Sequence, residues 1–227
     1  MNSSINAYLL KLSNKKFVQP RYNKSNFIEK IAKNGLVLDV GCGNNSPYHT
    51  KKQRPDLYYV GIDIGDYNQV SPNTADEYII TAPDSFSDVI AGLGERFDAV
   101  ISSHNLEHCN FREKTLEAIT SVLRPGGSLY LSFPTEKSVS FKGGRVGCLN
   151  YYDDSSHKGE PPGFSDVIKT LKRDKMKISF ARKSYKPFYL FLIGFLFERK
   201  SKHEKETYPG TWAYWGFETV IWAEKQR

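Results

Sequence analysis

The stretch His104-Asn105-Leu106-Glu107-His108 sets three proton-handling side chains at positions i, i+3 and i+4. That spacing gathers His104, Glu107 and His108 on one face of a helix or turn. Imidazole titrates near neutral pH, so the cluster is suited to acid–base work. Farther along, Asp153-Asp154-Ser155-Ser156-His157 is the best-equipped part of a polar stretch, and His157 is its candidate functional side chain. A different chemistry is set out upstream. The hydrophobic run Val37–Val40 ends in Gly41-Cys42-Gly43, and a second run ends in Asp63, 22 residues after Gly41. Glycines there let the backbone pass close beneath a ligand, and the acidic side chain can accept hydrogen bonds from both hydroxyls of a ribose. A nucleoside ligand follows. Ser46, then Pro47, stand where a dinucleotide fingerprint requires its third glycine, which disfavours a pyrophosphate cradle.

The elements that must carry these residues are strands alternating with helices. Leu36–Val40, Tyr58–Ile62, Glu77–Ile80, Ala99–Ser103 and Ser128–Phe133 are short β-branched or aromatic runs bounded by Gly, Pro, Asp or Asn. Five parallel strands of an α/β fold are expected. Arg112–Leu123 places Leu116, Ile119, Val122 and Leu123 on one helical face, and Arg124-Pro125-Gly126-Gly127 is read as the stop and turn that follow it. Residues 135–162 read as a long loop rich in Gly, Ser, Asp and Tyr, a length usually reserved for lids and substrate-binding segments. Phe164–Arg173 reads as an amphipathic helix, and Lys177–Ala181 with Phe217–Ala223 as a closing pair of strands. Pro187–Glu198 is a mostly apolar segment between Lys183, Lys186, Arg199, Lys200 and Lys202. It is too short to span a bilayer and reads either as a buried core helix or as a segment dipping into a membrane interface.

Composition narrows the class. With 227 residues, 39% hydrophobic and 14% aromatic, the chain reads as a single globular domain over residues 1–227. Met1–Phe17 has no signal-peptide core, and Cys42, Cys109 and Cys148 form no CxxC pair, so a reducing cytoplasm is expected. The net charge of +7 lies entirely beyond residue 164, where 14 Lys+Arg face 7 Asp+Glu. Such a tail suits an anionic membrane surface, a phosphorylated substrate or a solvated face. No recognisable RNA-binding motif accompanies it, and no nucleic-acid partner is expected.

From Leu36 to Pro134 the chain resembles the class I S-adenosylmethionine-dependent methyltransferases. Four ordered elements carry the resemblance: LDVGCG (Leu38–Gly43), VGID (Val60–Asp63), FDAVISSHNLEH (Phe97–His108) and LRPGGSLYLSFP (Leu123–Pro134). It implies a Rossmann-like, mostly parallel sheet with a closing antiparallel strand and helices on both faces. The cofactor-binding core would occupy about 30–134, the substrate loop about 135–162 and an apolar insertion about 184–210. By the same resemblance Gly41, Cys42 and Gly43 lie against the methionine part of S-adenosylmethionine, and Asp39 holds its amino group or caps the turn. Asp63 binds the ribose, and Ile64 packs on one adenine face beside Asp84, Ser85 and Phe86. Ser102, Ser103 and His104 face the methionine carboxylate and the sulfonium.

A hydroxyl acceptor needs a general base or a metal ion. His108 or His157, with His104 beside them, would supply the base. Some relatives, among them plant small-RNA 2′-O-methyltransferases and quinone-pathway O-methyltransferases, hold a divalent ion with a Glu-x-x-Glu-His constellation. Here His104 replaces the first Glu, so His104, Glu107 and His108, joined by His157, would favour manganese, iron or zinc over magnesium. Cys148–Pro162, Pro187–Glu198 and Gly210–Trp222 resemble, more loosely, methyltransferases of bacterial surface-polysaccharide clusters. That implies a sugar hydroxyl on an O-antigen or capsule precursor, with Tyr151, Tyr152, Trp212, Tyr214 and Trp215 as stacking surfaces. The alternatives are a quinone-like or lipid-phase hydroxyl, with peripheral membrane contact, or a cofactor-binding subunit without turnover.

Overall fold

Side chains alternate across the central strands and are apolar on both faces, which commits the sheet to a covered, mostly parallel arrangement. The computed structural model describes residues 20–144 and 149–227. Helix α1 (Lys24–Glu29) precedes β1 (Leu36–Val40), and α2 (Ser46–Gln53) leads to β2 (Tyr58–Asp63) and β3 (Glu77–Ile80). There follow α3 (Phe86–Gly92), β4 (Phe97–Ser103), α4 (Arg112–Ser121) and β5 (Leu123–Pro134). The chain closes with α5 (Phe164–Arg173), β6 (Met176–Arg182), α6 (Phe188–Glu204), α7 (Thr211–Trp215) and β7 (Glu218–Lys225).

The seven strands form one sheet in the order β3-β2-β1-β4-β5-β7-β6. β1 to β5 are parallel, β7 is antiparallel to β5, and β6 is antiparallel to β7. On one face Leu38, Val60, Val100 and Leu129 pack with Ile90 of α3, Ile119 of α4 and Leu171 of α5. On the other, Val37, Ile101, Tyr130 and Trp222 pack with Phe27 and Ile28 of α1. Strand order reverses between β1 and β4, and a ligand crevice opens beyond the carboxyl ends of strands at such a point. Gly41 follows β1, Asp63 ends β2 and His104 follows β4, so all three stand at that edge.

Two sequence expectations are corrected. Arg124-Pro125-Gly126-Gly127 does not turn the chain between elements but lies inside β5. There the pairing with β4 jumps from Phe97↔Leu123 to Ala99↔Ser128, and Gly126 takes a φ of +80°, so the glycine pair serves a bulge. Among the described residues of the 135–162 loop there are two short 3-10 turns, Glu136–Ser140 and Tyr151–Asp153. The apolar segment is no core helix. Ile193, Gly194 and Phe197 of α6 are buried while Phe188, Leu192, Phe195 and Leu196 face outward. Among the described residues no helix is long and apolar enough to cross a membrane. Cys148 and the Met1–Phe17 segment lie outside the described residues.

Gly61 of β2 marks where Cys42 is accommodated. A Cβ at this position would stand 2.7 Å from Cys42 Sγ and 3.1 Å from the Tyr78 ring. Overpacking of that kind costs about 1–3 kcal/mol. Gly61→Ala should therefore lower unfolding stability by that amount in urea titrations, and an unchanged midpoint would contradict this packing.

Candidate active site

A cavity of about 1040 Å³ opens at the reversal point, lined by Gly41, Gly43, Asp63, Ile64, Asp84 and Phe86 on one side and by Ser103, His104 and His108 on the other. Gly41 takes a φ of +76°, and a Cβ there would meet Asn105 Oδ1 at 2.6 Å. It is therefore demanded by its own backbone and by Asn105. At Gly43 a Cβ would lie 3.4 Å from Tyr67 and 3.5 Å from Asp63 Oδ2, so this glycine keeps the wall flat beside the acid. Burial pushes the Asp63 carboxyl above the ordinary carboxylate range, although the backbone N–H groups of Ile64 and Gly43 partly offset it.

Four other expected cofactor residues are placed differently. Asp39 is fully buried behind the wall. Its Oδ2 accepts from Tyr59 (2.7 Å), Ser46 (2.5 Å) and Lys24 (2.9 Å), while Oδ1 is buried without a hydrogen-bond partner among the described residues. Lys24 and Ser46 themselves line the cavity, so Asp39 acts on it through them. Cys42 is buried and directed at Gly61 and Tyr78, and Ser102 is fully buried within β4. Ser85, in the turn before α3, does not line the cavity.

A second cavity of about 170 Å³ adjoins the first, with Leu149, Tyr151, His157 and Trp212 in its wall. His104, His108 and Asp154 line both. Glu107, His108 and His157 bring one potential ligand atom each within 4.8 Å of one another. Each group is fixed by what it binds on its other side. His157 Nδ1 donates to the Tyr151 carbonyl (2.6 Å), which leaves Nε2 with its lone pair. Ser156 gives its hydroxyl proton to Asp154 Oδ1 (2.5 Å), so its oxygen accepts from His108 Nδ1 (2.9 Å) and His108 Nε2 is bare as well. Burial lowers the His108 pKa, which keeps this imidazole neutral. Glu107 is buried to 1%, and its Oε2 has no hydrogen-bond partner among the described residues.

His104 does not join this cluster. It adopts a φ of +52°, and its two ring nitrogens lie 3.2 Å from Glu107 Oε1 and 3.3 Å from Glu218 Oε1. Burial opposes its charge, but hydrogen bonds to the two carboxylates outweigh that and push its pKa up to about 10. An imidazolium between two carboxylates is a structural cation, unsuited to act as a base at neutral pH.

Arg112, at the start of α4, had no signature in the sequence. Its guanidinium donates to the carbonyls of Leu106 (3.0 Å) and Glu107 (3.4 Å), to the Tyr151 hydroxyl (3.1 Å), and to the carbonyls of Lys158 and Glu160. It thereby fastens the 151–160 loop to the 106–108 turn and carries His157 to His108. The signal available was only an arginine four residues after the Glu-His pair.

Comparison with known proteins bears on the fold that carries this site. Residues 38–131 match the family model described as a methyltransferase domain. The mitochondrial ubiquinone biosynthesis O-methyltransferase of Rattus norvegicus is 30% identical over 112 residues, covering 46% of this chain and 32% of that protein. An S-adenosylmethionine-dependent methyltransferase from Archaeoglobus fulgidus superposes with a TM-score of 0.57 at 17% identity, over 96% of this chain and 99% of that one. Phosphoethanolamine N-methyltransferase 2 of Haemonchus contortus, in complex with S-adenosylmethionine, gives a TM-score of 0.57 at 13% identity, over 100% of this chain and 58% of that one. The matches span 29% to 48% of the length of the curated relatives. Residues 38–131 are thus similar to a methyltransferase domain. The whole sheet has the Rossmann-like fold of the S-adenosylmethionine-dependent methyltransferases.

Asp63 generates a pH-dependent expectation. The ribose hydroxyls need an ionised acceptor, and a raised pKa brings protonation closer to neutrality. S-adenosylmethionine affinity measured by calorimetry should weaken on acidification at a pH above the usual Asp value of about 3.9. Asp63→Ala should lower it about 10- to 100-fold at pH 7, the worth of a hydrogen bond to a charged group. Unchanged affinity in Asp63→Ala would contradict the assignment.

Proposed function

We propose that the protein is an S-adenosylmethionine-dependent O-methyltransferase whose acceptor hydroxyl enters the smaller cavity. The observation that carries the reading is the shared wall: His108 borders both a cofactor-sized cavity and a ring-sized one, with Nε2 bare. Methyl transfer is an in-line displacement in which the acceptor oxygen forms a bond to the methyl carbon as the carbon–sulfur bond breaks. S-adenosylhomocysteine leaves, and the hydroxyl proton must go to a base. His108 Nε2 takes that proton. The Asp154–Ser156–His108 chain holds the imidazole in the required tautomer. Gly43, Asp63 and the Lys24–Asp39–Ser46 group hold the cofactor.

The same side chains fit a divalent ion. Two imidazole nitrogens, of which His157 Nε2 lies 3.8 Å from Asp154 Oδ2, and a buried carboxylate oxygen without a hydrogen-bond partner among the described residues are a donor set for manganese, iron or zinc, with Tyr151 and Ser156 orienting the two rings. Bound there by Glu107, His108 and His157, such an ion would occupy His108 Nε2 and replace it as the means of activation, lowering the pKa of a hydroxyl beside it.

For the acceptor, a cavity of roughly 150 Å³ holds one benzene ring, so about 170 Å³ beside Trp212 suits a single six-membered ring. Three of the aromatics expected to stack on sugars are occupied by packing. Tyr151 stacks on His157 at 4.2 Å, Trp215 lies 5.5 Å from Phe141, and Tyr214 lies 5.2 Å from Phe191. A phenolic ring like those of quinone precursors is therefore favoured over a sugar of a polysaccharide precursor, in keeping with the ubiquinone-pathway names among the relatives.

Labelled methyl transfer from S-adenosylmethionine should be found with catechol-type phenols and fall about 10²- to 10⁴-fold in His108→Ala. Cofactor affinity should fall much less than activity, because Gly43 and Asp63 on the other side of the cavity are untouched. A divalent metal recovered with the wild type purified without chelator and lost in His157→Ala would make His108 a ligand in place of the base. Transfer to nucleotide-linked sugars but not phenols would overturn the acceptor assignment, and full activity in His108→Ala would overturn the base.

A further inference from the structure

Helix α6 projects an apolar strip that none of the described residues covers. Phe188, Leu192, Phe195 and Leu196 recur at i, i+4, i+7 and i+8, which is one helical face. They are 67%, 44%, 60% and 49% exposed. The helix cannot roll to hide them, because its opposite face is keyed to the domain. A Cβ at Gly194 would come within 2.2 Å of the Gly210 carbonyl oxygen, so α6 and the turn into α7 meet backbone to backbone. Ile193 and Phe197 are buried on that side with Leu190 and Tyr208. A contiguous exposed apolar strip held rigidly at the surface marks an interaction site.

The surrounding charge selects the partner. Lys186 is exposed just before the helix, and Arg199 and Lys202 are exposed on it beyond the strip. Lys183 on the same side is paired with Glu136. The geometry points to an anionic lipid surface as the occupant of this face, with α6 lying flat in the headgroup region. Phe188, Leu192, Phe195 and Leu196 enter the acyl boundary while Lys186, Arg199 and Lys202 lie among the phosphates. A second copy of the chain is disfavoured, since a face-to-face pair would set two basic rims against each other. The docked helix also passes into α7, whose Trp212 lines the smaller cavity. The inference stands independently of methyl transfer, because it uses no residue of the catalytic cluster.

The test is co-sedimentation of the full chain with phosphatidylglycerol-rich and with pure phosphatidylcholine vesicles. The protein should partition onto the anionic vesicles, less so as salt rises, and at least tenfold less onto neutral ones. Leu192→Glu/Phe195→Glu should reduce the partition at least tenfold, and so should the charge reversal Lys186→Glu/Arg199→Glu. Melting temperature and S-adenosylmethionine affinity should be unchanged in both, which separates loss of docking from loss of fold. Absence of binding at low salt, binding that survives both double variants, or a change of oligomeric state in Leu192→Glu/Phe195→Glu would overturn the inference.

Discussion

A carboxylate taken out of water is tolerated only when other groups compensate its charge, and Glu107 is buried to 1%. The acceptor side of the molecule is arranged around that constraint. His104 abandons the ordinary backbone regions to place an imidazolium against Oε1, and Glu218, from the last strand, holds the far nitrogen of the same ring. The Glu107 carbonyl takes the Lys158 N–H at 2.8 Å and a guanidinium N–H of Arg112, so the turn bearing the acid also anchors the loop bearing His157. The oxygen left over, Oε2, has no hydrogen-bond partner among the described residues, and the same carboxylate lies with His108 and His157 around a place that a cation would fit.

This arrangement divides the labour between two halves of the chain. Parallel strands β1, β2 and β4 deliver Gly41, Asp63 and His104 to one edge by strand order alone, which is a property of the fold. The wall of the smaller cavity, proposed to receive the acceptor, is instead assembled in part from the 151–160 loop and α7, which sit beyond the 38–131 segment matched by the methyltransferase family. Fold therefore speaks for the cofactor, and the added wall speaks for the substrate.

Legibility in the sequence follows the same division. The strands and the Gly41–Asp63 pair could be read because each depends on residues close in the chain: a β-branched run, a turn at its end, an acid at the next strand end. Arg124–Gly127 was misread because Pro-Gly-Gly marks a break in regular pairing without saying whether a turn or a bulge makes it, and the β4 partner decides. The Glu107–His108 pair was legible, and so was the loop as the source of a further group. Placing His104 among the metal ligands does not hold, since Glu107 and, 114 residues away, Glu218 take up both of its ring nitrogens. Lys24 on Asp39, 15 residues apart, and Arg112 on the Lys158 and Glu160 carbonyls are likewise long-range pairings that no local pattern announces.

The central claim is that cofactor and acceptor meet at His108. A crystal structure with S-adenosylhomocysteine tests it most directly. The ribose should lie on Asp63 and the sulfur should point past His104 towards His108 and the smaller cavity. A sulfur directed away from His108, or a cofactor bound outside the Gly41–Asp63 crevice, would contradict it.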